Sequence, residues 1–427
     1  MELFKHQIDA LKETEEKSRV AYYLDMGLGK TFVGFEKLKL LNKNSNLVVC
    51  QKSKIQDWKN HMIENSNGEF EIFDLTKNCE MINFETAINE GRKVIGVINY
   101  DLTFRRPKIK RMKDFTMMLD ESSLIQNENT KRSRFILSMN PSCVILLSGT
   151  CVGGKYENLW SQCRLLGWNI SKSDFWNTFI ITRNIDVGGF QIPIVVGYKN
   201  ILLLKQKLRE HGAVFLKTKD VLDLPEQVEI FEKVDQISAY KKFMKDSIVE
   251  VQDKTLIGEN ILTKRLYARQ LCGHLNKNKL EKFRELIEST DDRLIVFYNF
   301  TEELEEMKKI CKDRPISIVN GKEKNLNAYE KEPNSITFIQ YQAGAMGLNL
   351  QKANKTIFFS LTESSELFEQ AKKRTHRIGQ ENTCFYYFIM TKDSIEEDIF
   401  ESLKNKNDYT NELFKGYMER HGRRKKL

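Results

Sequence analysis

The segment DMGLGKT, residues 25–31, has the make-up of a phosphate-binding loop. Gly27 and Gly29 let the backbone approach a phosphate and ring its oxygens with N–H groups. Lys30 supplies a point charge to the β and γ phosphates of ATP, and Thr31 a hydroxyl to Mg2+. The general pattern has a glycine where this chain has Leu24. The acid pair Asp120 and Glu121 ends the apolar run in FTMMLDESS (115–123). Strand ends are where open α/β sheets bind ligands. Asp120 is expected there as the Mg2+ partner and Glu121 as the general base that polarises an attacking water. A third cluster, QAKKRTHRIGQ (370–380), spaces Gln370, Arg374 and Arg377 by four and three, which puts them on one face of a helix. Guanidinium groups neutralise the charge that phosphoryl transfer spreads over the γ oxygens. The loop and the arginines lie near opposite ends of the chain, yet the chemistry needs both on one nucleotide. That separation implies two lobes closing on ATP, and so a motor.

The elements that must position these residues are visible as short apolar runs. They are NLVVC (46–50), KVIGVINY (93–100), FTMMLDE (115–121) and CVILLSGT (143–150), then RLIVFYNF (293–300), ISIVNG (316–321), SITFIQ (335–340), KTIFFSL (355–361) and CFYYFIM (384–390). They do not alternate apolar with polar, as befits strands buried on both faces of a parallel sheet. Helical patterns such as KTFVGFEKLKLLNK (30–43) and KLEKFRELIEST (279–290) lie between them, and strand–helix alternation twice over predicts two α/β lobes. Between the two sets, GGFQIPIVVGYKN (188–200) reads as a hairpin, whereas 235–252 and 260–277 read as helices. Pro225 marks the best boundary, in DLPEQ.

Composition narrows the class. The chain has 427 residues, 30% of them charged, with a formal net charge of +9, an argument for a polyanionic partner. Its longest apolar runs are too short to span a bilayer, so no membrane role is expected. The N-terminal MELFKHQIDALKETEEK carries acids and no apolar signal core, which predicts a cytoplasmic protein. The eight cysteines form no CxxC pair and no histidine cluster joins them, which reads as scattered thiols rather than a zinc site.

In the order and spacing of these motifs, from about residue 4 to 406, the chain resembles the Swi/Snf-type ATPases of helicase superfamily 2. It is most similar to their short forms without accessory domains, of the kind phage genomes encode, where the location would be the host cytoplasm. The RIGQ ending is the most characteristic element. The resemblance implies an α/β fold of two RecA-like lobes with parallel sheets, and helical and hairpin insertions between and within them. The first lobe would span 1–227 with its insert at about 151–227. The second would span 228–427, with a helical insert at about 228–290 and a basic tail at 420–427.

The same resemblance gives further residues their roles. Gln7, in FKHQ, reads adenine; Arg374 and Arg377 are arginine fingers; Gln370 orients water or γ-phosphate. Ser148 and Thr150, in LSGT, couple the acid strand to the track, with Cys151 where the family has proline. Lys52 and Ser53, in VVCQKSKIQDW (48–58), grip one strand's phosphates with Trp58 packing behind, and Asn99 and Tyr100 make a second contact. In QYQAGAMGLNLQKAN (340–354), Gly347 meets the nucleotide and Gln342 and Asn349 the track, with Tyr341 where a threonine is common. Lys372 and Lys373 face solvent or DNA. The run RRPKIKRMK (105–113) reads equally as channel lining and as a solvated loop.

The implied function is an ATP-dependent translocase on double-stranded DNA, working as a monomer. It hydrolyses ATP to ADP and phosphate, and it binds through the DNA backbone without reading sequence, in a salt-sensitive way. Two other readings stay open: a strand-separating helicase on DNA or RNA, and a nucleotide-gated nucleic-acid-binding regulator with little turnover.

Overall fold

The computed structural model describes residues 3–25, 27–149, 156–187, 190–217, 221, 224–252, 254–344 and 348–405. The chain divides into two compact units, Met1–Leu222 and Asp223–Leu427. The division falls before the expected boundary at 227 because Gln227 already opens a strand of the second unit, paired with Cys384.

In the first unit the strands are β1 (Arg19–Leu24), β2 (Ser45–Cys50), β3 (Glu71–Asp74), β4 (Val94–Asn99), β5 (Phe115–Asp120) and β6 (Cys143–Ser148). A hairpin of β7 (Ile180–Val187) and β8 (Phe190–Tyr198) follows, then β9 (Ala213–Leu216). The parallel sheet runs β3-β4-β2-β5-β6-β1-β9. Strands β2, β4 and β6 are buried along their whole length, which is why their sequences are apolar without alternation. Helices α1 (Lys5–Glu13), α2 (Lys30–Leu41) and α3 (Ile55–Asn65) carry the first motifs. Helix α2 lies close on β6: a Cβ at Gly34 would stand 2.7 Å from Leu147 Cδ1, so a larger residue there would force that side chain to move. Lys37, fully buried on α2, donates to Thr14 O (2.6 Å) and Glu15 O (3.1 Å) just past the end of α1, a favoured place for a cation. Burial lowers the pKa of that ammonium.

The second unit contains β10 (Gln227–Val234), the hairpin β11 (Ile248–Val251) and β12 (Lys254–Ile257), β13 (Leu294–Tyr298), β14 (Ile316–Val319), β15 (Lys324–Asn325), β16 (Ile336–Gln340), β17 (Lys355–Phe358) and β18 (Cys384–Thr391). Its sheet runs β10-β18-β17-β13-β16-β14-β15, parallel except for the β14–β15 edge. Both units are therefore α/β with parallel sheets, as the apolar runs predict.

Two regions differ from the sequence reading. Residues 235–252 are not one helix: Ser238–Asp246 is helical, Ser247 turns left-handed (φ 61°), and Ile248–Val251 forms β11. Its β-branched residues suit a strand once the helix is broken. The stretches assigned to inserts also give strands to the main sheets, β9 beside β1 and β10 beside β18. Strand β10 alternates in exposure, an edge strand with one wet face, so it does not read as a buried run.

Candidate functional site

The loop after β1 turns through Gly27 (φ 90°) and Gly29 (φ 75°), both in the left-handed region that favours glycine. Gly29 caps α2, whose first two residues are Lys30 and Thr31, both half-buried. Lys30 Nζ donates to Leu24 O across a long 3.4 Å. Side chains of α1 hold this loop: His6 Nε2 lies 3.2 Å from Leu28 O, and Gln7 Nε2 donates to the same oxygen at 3.1 Å. A Cβ at Gly29 would meet Gln7 Nε2 at 2.1 Å. Gln7 Oε1 accepts Phe4 N–H (3.0 Å), and the residue is buried. Each end of the Gln7 amide thus makes one internal hydrogen bond, which leaves one N–H and one lone pair for the expected adenine contact. Both internal bonds form because Leu28 O and Phe4 N–H each need a partner where α1 meets the loop.

The acids sit on the same sheet edge. Leu147 of β6 pairs with Asp120 on one side and Tyr22 on the other, and Ser148 pairs with Tyr23. Two strand spacings, about 10 Å, therefore separate the Asp120 and β1 backbones. Trp58 Nε1 donates to Asp120 Oδ2 at 2.8 Å. Glu121 is left-handed (φ 53°) and starts a short 3-10 turn, Ser122–Ile125. A non-glycine residue held there costs about 1–3 kcal/mol and is common at reactive sites. Ser122, fully buried, donates to Gln162 Oε1 (2.9 Å), and Tyr23 OH donates to the same oxygen (2.9 Å). Ser122, through Gln162, thus ties the strand end to β1 and to the helix Trp160–Leu165.

ATP and Mg2+ fit these residues. Two left-handed glycines give the loop the backbone shape that lets N–H groups gather on an anion, and a carboxylate holding one indole N–H keeps lone pairs for a cation. Thr31 and Asp120 would hold Mg2+, which shields phosphate charge. Lys30 would bind the phosphates, and Glu121 would orient and deprotonate the attacking water.

Of the expected track contacts in this unit, Lys52 and Ser53 are exposed on the 3-10 turn Lys52–Lys54. Asn99 and Tyr100 are not: they are 7% and 2% exposed. Tyr100 OH donates inward to Asp120 O (2.8 Å), and burial pushes its pKa well up. That corrects their reading as surface contacts. Strand β4 ends beneath the sheet edge, where a phenol needs an internal acceptor. Ser148 is buried at the end of β6, and Thr150 lies outside the described residues.

In the second unit Gln370, Arg374 and Arg377 do not share a helical face. The helix Ser365–Lys372 ends before either arginine. The carbonyls that would continue it are taken elsewhere: Lys372 O by Tyr386 OH (2.8 Å), Arg374 O by Leu350 N–H (3.3 Å), and Thr375 O by Gln380 Nε2 (3.3 Å). Gln380 Nε2 also donates to Ala353 O (2.9 Å) and Gln351 O (3.1 Å). The turn is thereby fastened to the segment before β17. Arg377 Nη1 donates to Asn349 Oδ1 (2.5 Å) and Leu348 O (3.3 Å), and burial lowers its pKa. Arg374 and Gln370 are 6% and 7% exposed, and Gln370 Nε2 donates to Glu366 Oε1 (3.3 Å). Lys372 does not face open solvent; it pairs with Glu229 Oε1 (2.5 Å). Gln342 and Asn349 are exposed, Tyr341 turns its hydroxyl inward to Ser360 O (2.9 Å), and Gly347 lies outside the described residues.

Sequence reasoning missed Trp58 as a partner of Asp120, Gln162 and Gln380 as ties, and a buried network at the ends of β13, β16 and β17. There Gln340 donates to Asn299 O (3.0 Å), Asn299 Nδ2 to Ser360 Oγ (2.9 Å) and Ser360 Oγ to Glu303 Oε2 (2.8 Å). Burial raises the pKa of Glu303. A polar residue at a strand end was the one available signal.

Residues 23–277 match the SNF2-related domain, and residues 278–379 match the helicase conserved C-terminal domain. The chain belongs to the SNF2-related family. It is 25% identical to the putative ATP-dependent helicase/translocase YwqA of Bacillus subtilis, over 70% of this chain and 35% of that protein. It is 22% identical to the ISWI chromatin-remodeling complex ATPase ISW2 of Saccharomyces cerevisiae (90% and 38%), and 24% identical to the DNA repair and recombination protein RAD54 of the same yeast (91% and 53%). This SNF2-related chain thus spans between about a third and a half of the length of these relatives. A structure of the Sulfolobus solfataricus SWI2/SNF2 ATPase core in complex with dsDNA aligns with a TM-score of 0.46 at 20% identity, covering 95% of this chain and 91% of that one. The strand orders above, not that alignment, carry the fold. The SNF2-related match ends at Lys277, inside the second unit, whose core takes Leu271 and Cys272 from the helix Ile261–Cys272. Among the described residues no helix is long and apolar enough to cross a membrane, and no group of three or more metal-ligating side chains forms.

Proposed function

We propose that the chain is an ATP-driven translocase on duplex DNA, hydrolysing ATP to ADP and phosphate. The observation that carries this reading is the shared sheet edge of the first unit. A glycine loop with Lys30, the strand-end acids Asp120 and Glu121, and buried Ser148 stand there side by side. Lys30 and the loop amides bind the phosphates, and Asp120 with Thr31 holds Mg2+. Glu121 takes the proton from water, and Arg374 and Arg377 supply the positive charge that the transferring phosphoryl group demands. Lys52 and Ser53, exposed on their turn, contact DNA phosphates, and the net charge of +9 favours that polyanion. The relatives' names, a helicase/translocase, a chromatin-remodeling ATPase and a DNA repair and recombination protein, all suit a motor on DNA.

The decisive experiment measures phosphate release with no polynucleotide, single-stranded DNA, duplex DNA and RNA. Duplex DNA is expected to stimulate most, and Glu121→Gln to abolish release while nucleotide still binds. Stimulation by RNA alone, or release that survives Glu121→Gln, would overturn the reading.

A further inference from the structure

We propose that Trp58 is a positioning residue for Asp120, and that it ties the phosphate-gripping turn Lys52–Lys54 to the metal-binding carboxylate. This deepens the function proposed above and rests on it. Trp58 is the fourth residue of α3, and α3 follows that turn without a break. Its indole is 2% exposed, and its one polar atom, Nε1–H, donates to Asp120 Oδ2 at 2.8 Å. An indole N–H can only donate. It therefore fixes one carboxylate oxygen in place and turns the remaining lone pairs toward a cation. The backbone of Asp120 is held as well, by Tyr100 OH on its carbonyl (2.8 Å). The sheet order β4-β2-β5 explains the convergence: α3 follows β2, Tyr100 follows β4, and both strands end beside the end of β5.

A tryptophan kept only to fill space would serve as well as phenylalanine. Trp58 does have such packing, edge-on to His61 with ring centroids 6.0 Å apart. The hydrogen bond is the part that packing does not explain. When DNA phosphate engages Lys52 and Ser53, any shift of the turn moves α3, and with it the donor on Asp120. Track binding then alters how well the site takes Mg2+.

Trp58→Phe removes the donor and keeps the ring. Binding of a fluorescent ADP is measured by titration with and without Mg2+, and with and without duplex DNA. In wild type, Mg2+ tightens nucleotide binding and DNA lowers the Mg2+ needed. In Trp58→Phe, binding without Mg2+ is expected to be unchanged, while half-saturating Mg2+ rises about tenfold, as expected for a lost hydrogen bond to a charged group. The effect of DNA on that value should vanish. Wild-type Mg2+ dependence in Trp58→Phe, with DNA still lowering it, overturns the proposal and leaves the proposed function standing. A wild-type protein that binds no nucleotide overturns both. If Trp58→Phe does not fold, benzothienylalanine at position 58, which replaces the N–H with sulfur in a ring of the same shape, makes the same test.

Discussion

In the first unit the groups expected to meet the nucleotide sit where regular elements stop. Gly27 and Gly29 lie between β1 and α2, Lys30 opens α2, Asp120 ends β5 and Glu121 follows it. In the second unit Arg374 and Arg377 lie in an irregular turn, shaped by hydrogen bonds from Leu350, Gln380 and Tyr386. The first arrangement takes its backbone positions from strand and helix geometry, with distant side chains such as Trp58 and Tyr100 tuning it by single hydrogen bonds. The second has no helix to shape its backbone and depends on hydrogen bonds from Leu350, Gln380 and Tyr386, so changes to residues that never touch substrate should disturb it.

The strongest way to break this comparison is the double substitution Arg374→Ala with Arg377→Ala. Phosphate release should fall about 10³-fold or more, as for arginine fingers elsewhere, with nucleotide affinity nearly kept. Undiminished hydrolysis would mean the second unit takes no part in the chemistry. Next comes Gln380→Ala, which removes the two N–H donors shared among three carbonyls. Each buried acceptor left unpaired costs about 1–3 kcal/mol. The melting temperature should drop by several degrees and kcat should fall, while nucleotide affinity stays at the wild-type value. An unchanged kcat would show that the turn keeps its shape without that tie.

A smaller effect is expected from Glu303→Gln. Burial raises the carboxyl's pKa, so the folded chain holds this proton more tightly than the unfolded chain does. Its contribution to stability is present below the ordinary carboxylate pKa and is lost as pH rises through the folded value. The glutamine variant should therefore melt higher than wild type at pH 8, with the difference shrinking toward pH 4 in thermal scans. A difference independent of pH would exclude this linkage. The smallest effect belongs to Gln7→Ala. It removes the side-chain partner of Phe4 N–H and one of the two side chains on Leu28 O, and should weaken nucleotide binding by a few-fold in equilibrium titration, leaving kcat at saturation intact.

Most main-sheet strands were legible as unbroken apolar runs, since a parallel strand buried on both faces has no polar side to show. The edge strands β9 and β10 were not: β10 has one exposed face that makes its sequence resemble a loop or a surface helix, and β9 is only four residues long. At the site, the loop and the acids were legible because the chemistry fixes residue type and spacing together. Trp58, Tyr100 and Gln380 were not. Each acts through a hydrogen bond to a residue distant in sequence, and no local pattern marks the partner.

The sequence by itself determined which chemical groups are available and which strands deliver the phosphate loop and the acids. Those facts depend only on side-chain type and on periodicity over a few residues. Tertiary structure alone decided that the arginine segment leaves its helix, that Gln7 is used within the protein, and that Tyr100 points inward. In each case a backbone or side-chain polar group needed a partner, and only the folded chain brought one within hydrogen-bond reach.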